Sequence, residues 1–181
     1  MLPEQFEKKE YYLQWDVCAT ESADFAQSEI AAEMIRVGIE RWFLGMEPLY
    51  PENIDEESLI DDLDMTIREL NELIWIYRKE NGIDIGCTMS LLVLLNEKYH
   101  VFHVGDSKIL LIDDRVSQIT KDEVSVVERD GKLKTLLANF YGEGRRIVDE
   151  SVKRKPCSGR DISCGVRRTF LRDSGKIFCL M

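Results

Sequence analysis

Near residue 82 the chain changes its hydrophobic period, and that change limits what it can fold into. Before it, Leu59, Leu63, Ile67, Leu70, Ile74 and Tyr77 recur at three- and four-residue steps, the stripe of an amphipathic helix over 56–80. Asp55-Glu56-Glu57 puts negative charge at the positive end of that helix, and Gly82 suits its C-terminal cap. An earlier helix is expected over 24–44, capped by Ser22 or Asp24, with Ala26, Ile30, Met34, Val37 and Trp42 as its apolar face and Gly45 near its end. Pro48 and Pro51 bracket the connection between the two. After Gly82 the pattern becomes β-type: 86–95, 99–104 and 108–112 are short apolar runs divided by Asn96-Glu97-Lys98 and Gly105-Asp106-Ser107. These three read as adjacent antiparallel strands in one meander. Tyr11, Leu13, Trp15, Val17 and Ala19 alternate with polar residues and give a strand ahead of the helices. Residues 121–141 read as mostly helical, with Leu133, Leu136, Leu137 and Phe140 as a short apolar face. Strands 166–171 and 176–180 flank Asp173-Ser174-Gly175 as a hairpin. The sum is an α+β sandwich of antiparallel sheets, with a packed helix pair against one sheet face.

At 181 residues the chain suits a short N-terminal tail, 1–10, and one domain, 11–181, able to bury roughly two thirds of its unfolded surface. Hydrophobic residues at 44% and charged residues at 32% are those of a soluble globular protein rather than a disordered one. The first nine residues lack the apolar run of a secretory signal, and the longest apolar run, Met89 to Leu95, is far below the ~20 residues that span a bilayer. A cytoplasmic protein with no membrane partner is expected. Cys18, Cys87, Cys157, Cys164 and Cys179 are odd in number and never spaced Cys-x-x-Cys, which points to reduced thiols and away from a disulfide framework or zinc knuckle. Net charge is −10, but 145–181 carries +6, leaving −16 for 1–144. The basic part has little aromatic interleaving, so a solvated loop and strand edge is expected there, not a nucleic-acid surface.

Three segments carry the chemistry: Gly86-Cys87-Thr88, then Val104-Gly105-Asp106-Ser107-Lys108, then Gln118-Ile119-Thr120-Lys121-Asp122. In order and spacing they resemble the metal-dependent protein phosphatases of the PPM type, the phosphatase 2C family. There a Gly-x-Thr opens one strand, a Val-Gly-Asp-Ser-Arg/Lys turn ends the next, and a Leu-Thr-x-Asp segment follows. Weaker likeness extends over 15–181. The resemblance implies a phosphatase 2C-like α-β-β-α sandwich and hydrolysis of phosphoserine and phosphothreonine with two Mg²⁺ or Mn²⁺ ions. Such ions lower the pKa of a bridging water and neutralise developing charge. They are hard, so several carboxylates must converge on them.

Against that requirement the chain departs from the family. Aligning Glu29-Ile30-Ala31 on the family's helix puts Thr20 where the carboxylate of an Asp-Gly-x-Gly-Gly turn belongs, with Glu21 and Ala23 in place of glycines. Using Asp16 or Asp24 instead breaks the helix match. The chain stops at Met181 where a Ser-Asp-Gly turn should begin, so that turn and a later Asp-Asn pair are expected to be missing and the domain incomplete. Asp106 alone matches a metal-related position, an accessory third-metal one; the other reading makes it a turn former that accepts backbone N–H bonds. His100 and His103 stand three apart in a strand and face opposite ways, which argues against joint metal binding. Thr88, Ser90 and Ser107 show no His-Asp partner, so no catalytic residue is assigned. The expectation is a phosphatase-like domain, inactive on its own, that binds no metal tightly and serves as a protein-binding remnant. Its partners would be a phosphoprotein, a kinase, or another copy through the edge of the C-terminal strand. The alternative is an active Mg- or Mn-dependent phosphatase with atypical or partner-supplied ligands.

Overall fold

A computed structural model of the chain describes residues 13–21, 27–46, 48–49, 53–95, 98–112, 115–129, 131–145, 155–156 and 176–180. The expected tail, the Ser22 or Asp24 cap and the strand 166–171 lie outside these.

Both helices form where the periodicity puts them: α1 spans Ser28–Met46 and α2 spans Glu56–Asn81. Asp55 caps α2 by accepting the Ser58 N–H at 3.0 Å, and Gly82 closes it at φ 62, a left-handed conformation that costs glycine little. Leu59, Leu63, Ile67, Leu70 and Ile74 are buried as the stripe requires, whereas Tyr77 has rotated to the flank and is 37% exposed. The apolar face of α1 is not the expected one. Ala31, Ala32, Ile35, Ile39 and Phe43 are buried, while Ile30, Met34, Val37 and Trp42 are only partly covered. The sequence offers apolar residues at both phases, and packing against α2 and the sheet selects one. Gly38 lies against α2 so closely that a Cβ there would meet Leu70 Cδ2 at 2.3 Å. Trp42 at the rim donates from Nε1 to Asp62 at 2.6 Å, joining the helices across their seam.

Beneath the helices lies an antiparallel sheet of β1 (Leu13–Glu21), β2 (Cys87–Leu95), β3 (Lys98–Val104) and a short β8 (Lys155–Pro156), in the order β1-β2-β3-β8. Met89, Leu91, Val93 and Leu95 of β2 and Phe102 and Val104 of β3 join both helices in one apolar core. The alternate residues Thr88, Ser90, Leu92 and Leu94 are buried too, so β2 is covered on both faces. A near-continuous apolar run is what such a strand requires.

Two sequence expectations fail here. The run 108–112 does not continue the meander: β4 (Lys108–Ile112) leaves for a second sheet, pairing with β5 (Val116–Gln118) on one side and β9 (Lys176–Leu180) on the other. The turn at Gly105 redirects the chain between sheets. Residues 121–141 are not helical; they form an antiparallel hairpin, β6 (Val124–Arg129) and β7 (Lys132–Leu137). Asp130-Gly131 is a strong hairpin signal, and Gly131 takes φ 70 in the turn. The β-branched Val124, Val126 and Val127 favour strand, and the leucine spacing that suggested a helix leaves Leu133 77% exposed.

After the hairpin the chain is strapped to α2 and β2. Tyr141 and Cys87 exchange both backbone bonds, and Gly142 at φ 91 passes over Ile74. Asn71, 1% exposed, accepts the Gly142 N–H at 2.9 Å and donates to the Gly144 carbonyl at 3.0 Å. Arg78 donates to the Gly142 carbonyl as well. Truncating Asn71 would leave a buried donor and acceptor unmet, so Asn71→Ala should lower unfolding free energy by roughly 2–3 kcal/mol. Urea denaturation measures it; a loss below about 0.5 kcal/mol, the range of an ordinary surface change, contradicts the strap.

Candidate functional site

The three sequence motifs, up to thirty-odd residues apart, meet at the end of β3. Gly105 leaves the strand at φ 115, and a Cβ there would lie 2.3 Å from Cγ2 of Thr88. Glycine is therefore required twice, for backbone conformation and for space, and the second requirement comes from the Gly-x-Thr motif itself. The third motif holds the turn from the other side. Thr120 Oγ1 accepts the Ile109 N–H at 3.0 Å and donates to the Ser107 carbonyl at 3.2 Å. Asp122 accepts from Gln118 Nε2 at 2.7 Å and lies 3.3 Å from Lys108 Nζ. The Gln118 bond first, and Lys108 after it, holds the Asp122 carboxyl below its ordinary value.

The two histidines diverge as their spacing requires. His100, opposite Val93 on the helix-facing side, approaches Glu56 at 3.3 Å beside Lys98. His103 pairs with Ser90 in register and points the other way. Its Nε2 faces the carbonyls of Gly105 and Lys121, both at 3.1 Å, and these only accept, so Nε2 carries the proton. Nδ1 then accepts the Ser90 hydroxyl at 2.8 Å. Ser90 thus has a histidine partner that sequence spacing did not reveal, because only strand register brings them together. Ser90 and His103 are 2% and 3% exposed, and carbonyls stand where a triad would need a carboxylate. The pair is a fastener, not a nucleophile. Cys87 is equally inert, its thiol pushed up to about 12 by burial.

Asp106 differs from its neighbours. It is exposed, and its carboxylate makes no hydrogen bond or ion pair with any described residue. The expected role of accepting backbone N–H bonds in its own turn falls instead to Glu123, which takes the Gly105 N–H at 3.0 Å, and to Thr120. Thr20 pairs with Thr88 in register, so the backbone places it one strand from the Asp106 turn. Asp16 pairs with Leu92, four residues further along β1, or ~13 Å at strand rise, too far to replace it. Among the described residues, no three His, Cys, Asp or Glu side chains gather so as to hold a metal ion. Among the described residues, the Asp106 turn adjoins a strand position held by threonine, whereas a pair of divalent cations needs converging carboxylates.

The phosphatase 2C family model matches residues 15–125, more than half of the chain and all three motifs. Compared with curated proteins, the sequence matches none. Solved structures with the same fold include a serine/threonine phosphatase from Staphylococcus aureus, at TM-score 0.66 and 16% identity, where 81% of this chain covers 61% of that one. Another is a bacterial serine phosphatase, at TM-score 0.62 and 17% identity, with 78% of this chain on 62% of that one. PppA, a regulatory component of T6SS in Pseudomonas aeruginosa, aligns at TM-score 0.61 and 13% identity over 81% of this chain and 72% of its own. This chain therefore spans about three fifths of the length of the first two. No described helix is long and apolar enough to cross a membrane.

Two outcomes follow from this geometry. Gly105→Ala adds backbone strain and a clash with Thr88, and should cost about 2–5 kcal/mol in urea unfolding. A loss under about 1 kcal/mol would show that neither constraint holds. Burial, opposed by its carbonyl partners and nearby Glu123, lowers the His103 pKa below its ordinary value. The unfolded chain then takes the proton first, so the stability His103 contributes is present above its ordinary value and lost as pH falls through its folded one. The urea midpoint should drop from pH 7.5 to pH 5.5, and drop less in His103→Gln; equal slopes would contradict it. Motifs, their convergence and the fold agree: the chain belongs to the protein phosphatase 2C family.

Proposed function

We propose that this chain is a phosphatase-like binding domain that does not by itself hydrolyse phosphoserine or phosphothreonine. One observation supports the reading: the strand position beside the Asp106 turn is Thr20, which supplies no charge, and among the described residues no three His, Cys, Asp or Glu side chains gather to hold an ion. The turn that positions Asp106 is nonetheless built in full. A domain that keeps the scaffold and lacks the donors suits recognition of a phosphoprotein or of a kinase better than turnover. Asp106 would hold Mg²⁺ or Mn²⁺ loosely, as an accessory site. Self-association through the edge of β9 that pairs with no described strand, its other edge being bonded to β4, belongs to the same reading, and so does a cytoplasmic location.

A second reading has its own support, the exposed Asp106 carboxylate, which makes no bond with any described residue, on a turn held by Glu123 and Thr120. In it the domain is a Mg- or Mn-dependent phosphatase whose remaining ligands are atypical or come from a partner. Turnover of a phosphothreonine peptide with Mn²⁺ separates the two. The purified chain should show none above the rate of buffer and Mn²⁺ alone; turnover that disappears in Asp106→Ala would overturn the binding reading and establish the second.

A further inference from the structure

Glu123 is the crossing point of three segments that the sequence keeps apart. Its Oε2 accepts the Gly105 N–H at 3.0 Å, and its own N–H donates to the Gly105 carbonyl at 2.8 Å, so one residue holds both sides of the glycine from which the Asp106 turn starts. The same Oε2 accepts Asn139 Nδ2 at 3.2 Å, and the Glu123 carbonyl accepts the Ala138 N–H at 2.8 Å. Hairpin β6–β7 leaves the body at Val124 and returns at Leu137. Both of its ends are therefore tied at Glu123. Within the described residues it is a two-stranded ribbon on no other strand, with Val126 64% and Leu133 77% exposed. A two-stranded ribbon is marginal alone, so its order depends on its root.

We infer that Glu123 is a positioning residue that sets the Asp106 turn and couples it to hairpin β6–β7, so that loosening or clamping the hairpin loosens or fixes the turn. The assignment deepens the reading of that turn as the binding element. The mechanism needs only bonds already described. Glu123 keeps its backbone path, and hence its two bonds to Gly105, while Ala138 and Asn139 close the ribbon behind it. When the ribbon opens, the side chain loses Asn139 and its backbone loses Ala138, and the grip on Gly105 is left without support. Gly105 does not fix the turn unaided, because glycine reaches many backbone conformations at little cost and bonds from outside must select its φ of 115.

Hydrogen–deuterium exchange of the full chain, read by mass spectrometry, tests this without metal or substrate, so its result is independent of whether the domain is a phosphatase. Glu123→Ala should speed exchange over 104–107 and 138–139 by on the order of tenfold, with α2 unchanged. Glu123→Gln keeps an oxygen for both N–H groups and should restore most of that protection. The coupling has its own variant. Gly131 sits at φ 70 at the hairpin tip with nothing near its missing side chain, so Gly131→Val strains the ribbon without disturbing any packing. It should speed exchange over 104–107 as well as 124–137, and add little at 104–107 in the Glu123→Ala background. Unchanged exchange at 104–107 in Glu123→Ala, or an equal rise throughout α2, overturns the positioning role. Gly131→Val loosening 124–137 while sparing 104–107 overturns the coupling.

Discussion

Where β3 ends, the backbone of Gly105 passes Thr88 so closely that a single added carbon would lie 2.3 Å from its methyl group. That approach brings the opening of β2 against the turn after β3 and lets the chain cross from one sheet to the other. The same glycine is held by Glu123 on both its N–H and its carbonyl, and by His103 on the carbonyl. His103 is in turn held by Ser90 and shares its proton with the Lys121 carbonyl. Thr120 secures the far side of the turn through Ser107 and Ile109. The motifs are thus not separate signatures. Each supplies one side of a shared constraint on a glycine that no other residue can replace.

A second close approach organises the helix layer. Gly38 lets α1 come against Leu70 of α2, and the shared core of both helices then rests on β2 and β3. Asn71, buried on α2, reaches past that core to hold the strap at Gly142 and Gly144. The strap bonds to Cys87 at the start of β2, next to Thr88. The helix layer and the turn are connected through these polar contacts as well as through apolar packing. Buried polar groups of this kind specify one arrangement because any other leaves them unmet.

The scaffold and the chemistry separate at Asp106. The groups that shape the turn are engaged, whereas the carboxylate it presents is exposed and makes no bond with any described residue. Family membership accounts for the first half of that description, since the fold requires those contacts whatever the domain does. It does not by itself establish activity, which depends on charge gathered at one point.

Much of this was legible in the amino-acid sequence. The stripe of α2, its acidic start at Asp55-Glu56-Glu57 and its Gly82 cap, the β1 alternation and the β2 run are local properties, readable because helix and strand periods act on neighbouring residues. Gly86-Cys87-Thr88, Gly105-Asp106-Ser107 and Thr120 marked the site for the same reason. Tertiary structure decided the rest. The phase of α1 depended on which of two apolar faces met α2, and the path of β4 on a turn that only packing against Thr88 imposes. Hairpin β6–β7 is masked in the sequence because Leu133, Leu136 and Leu137 mimic helical spacing, although Asp130-Gly131 carries the stronger signal. Ser90 with His103, and Glu123 with Gly105, could be found only through strand register and a long-range crossing. Those pairings join residues 13 and 18 positions apart, a separation that no local period encodes.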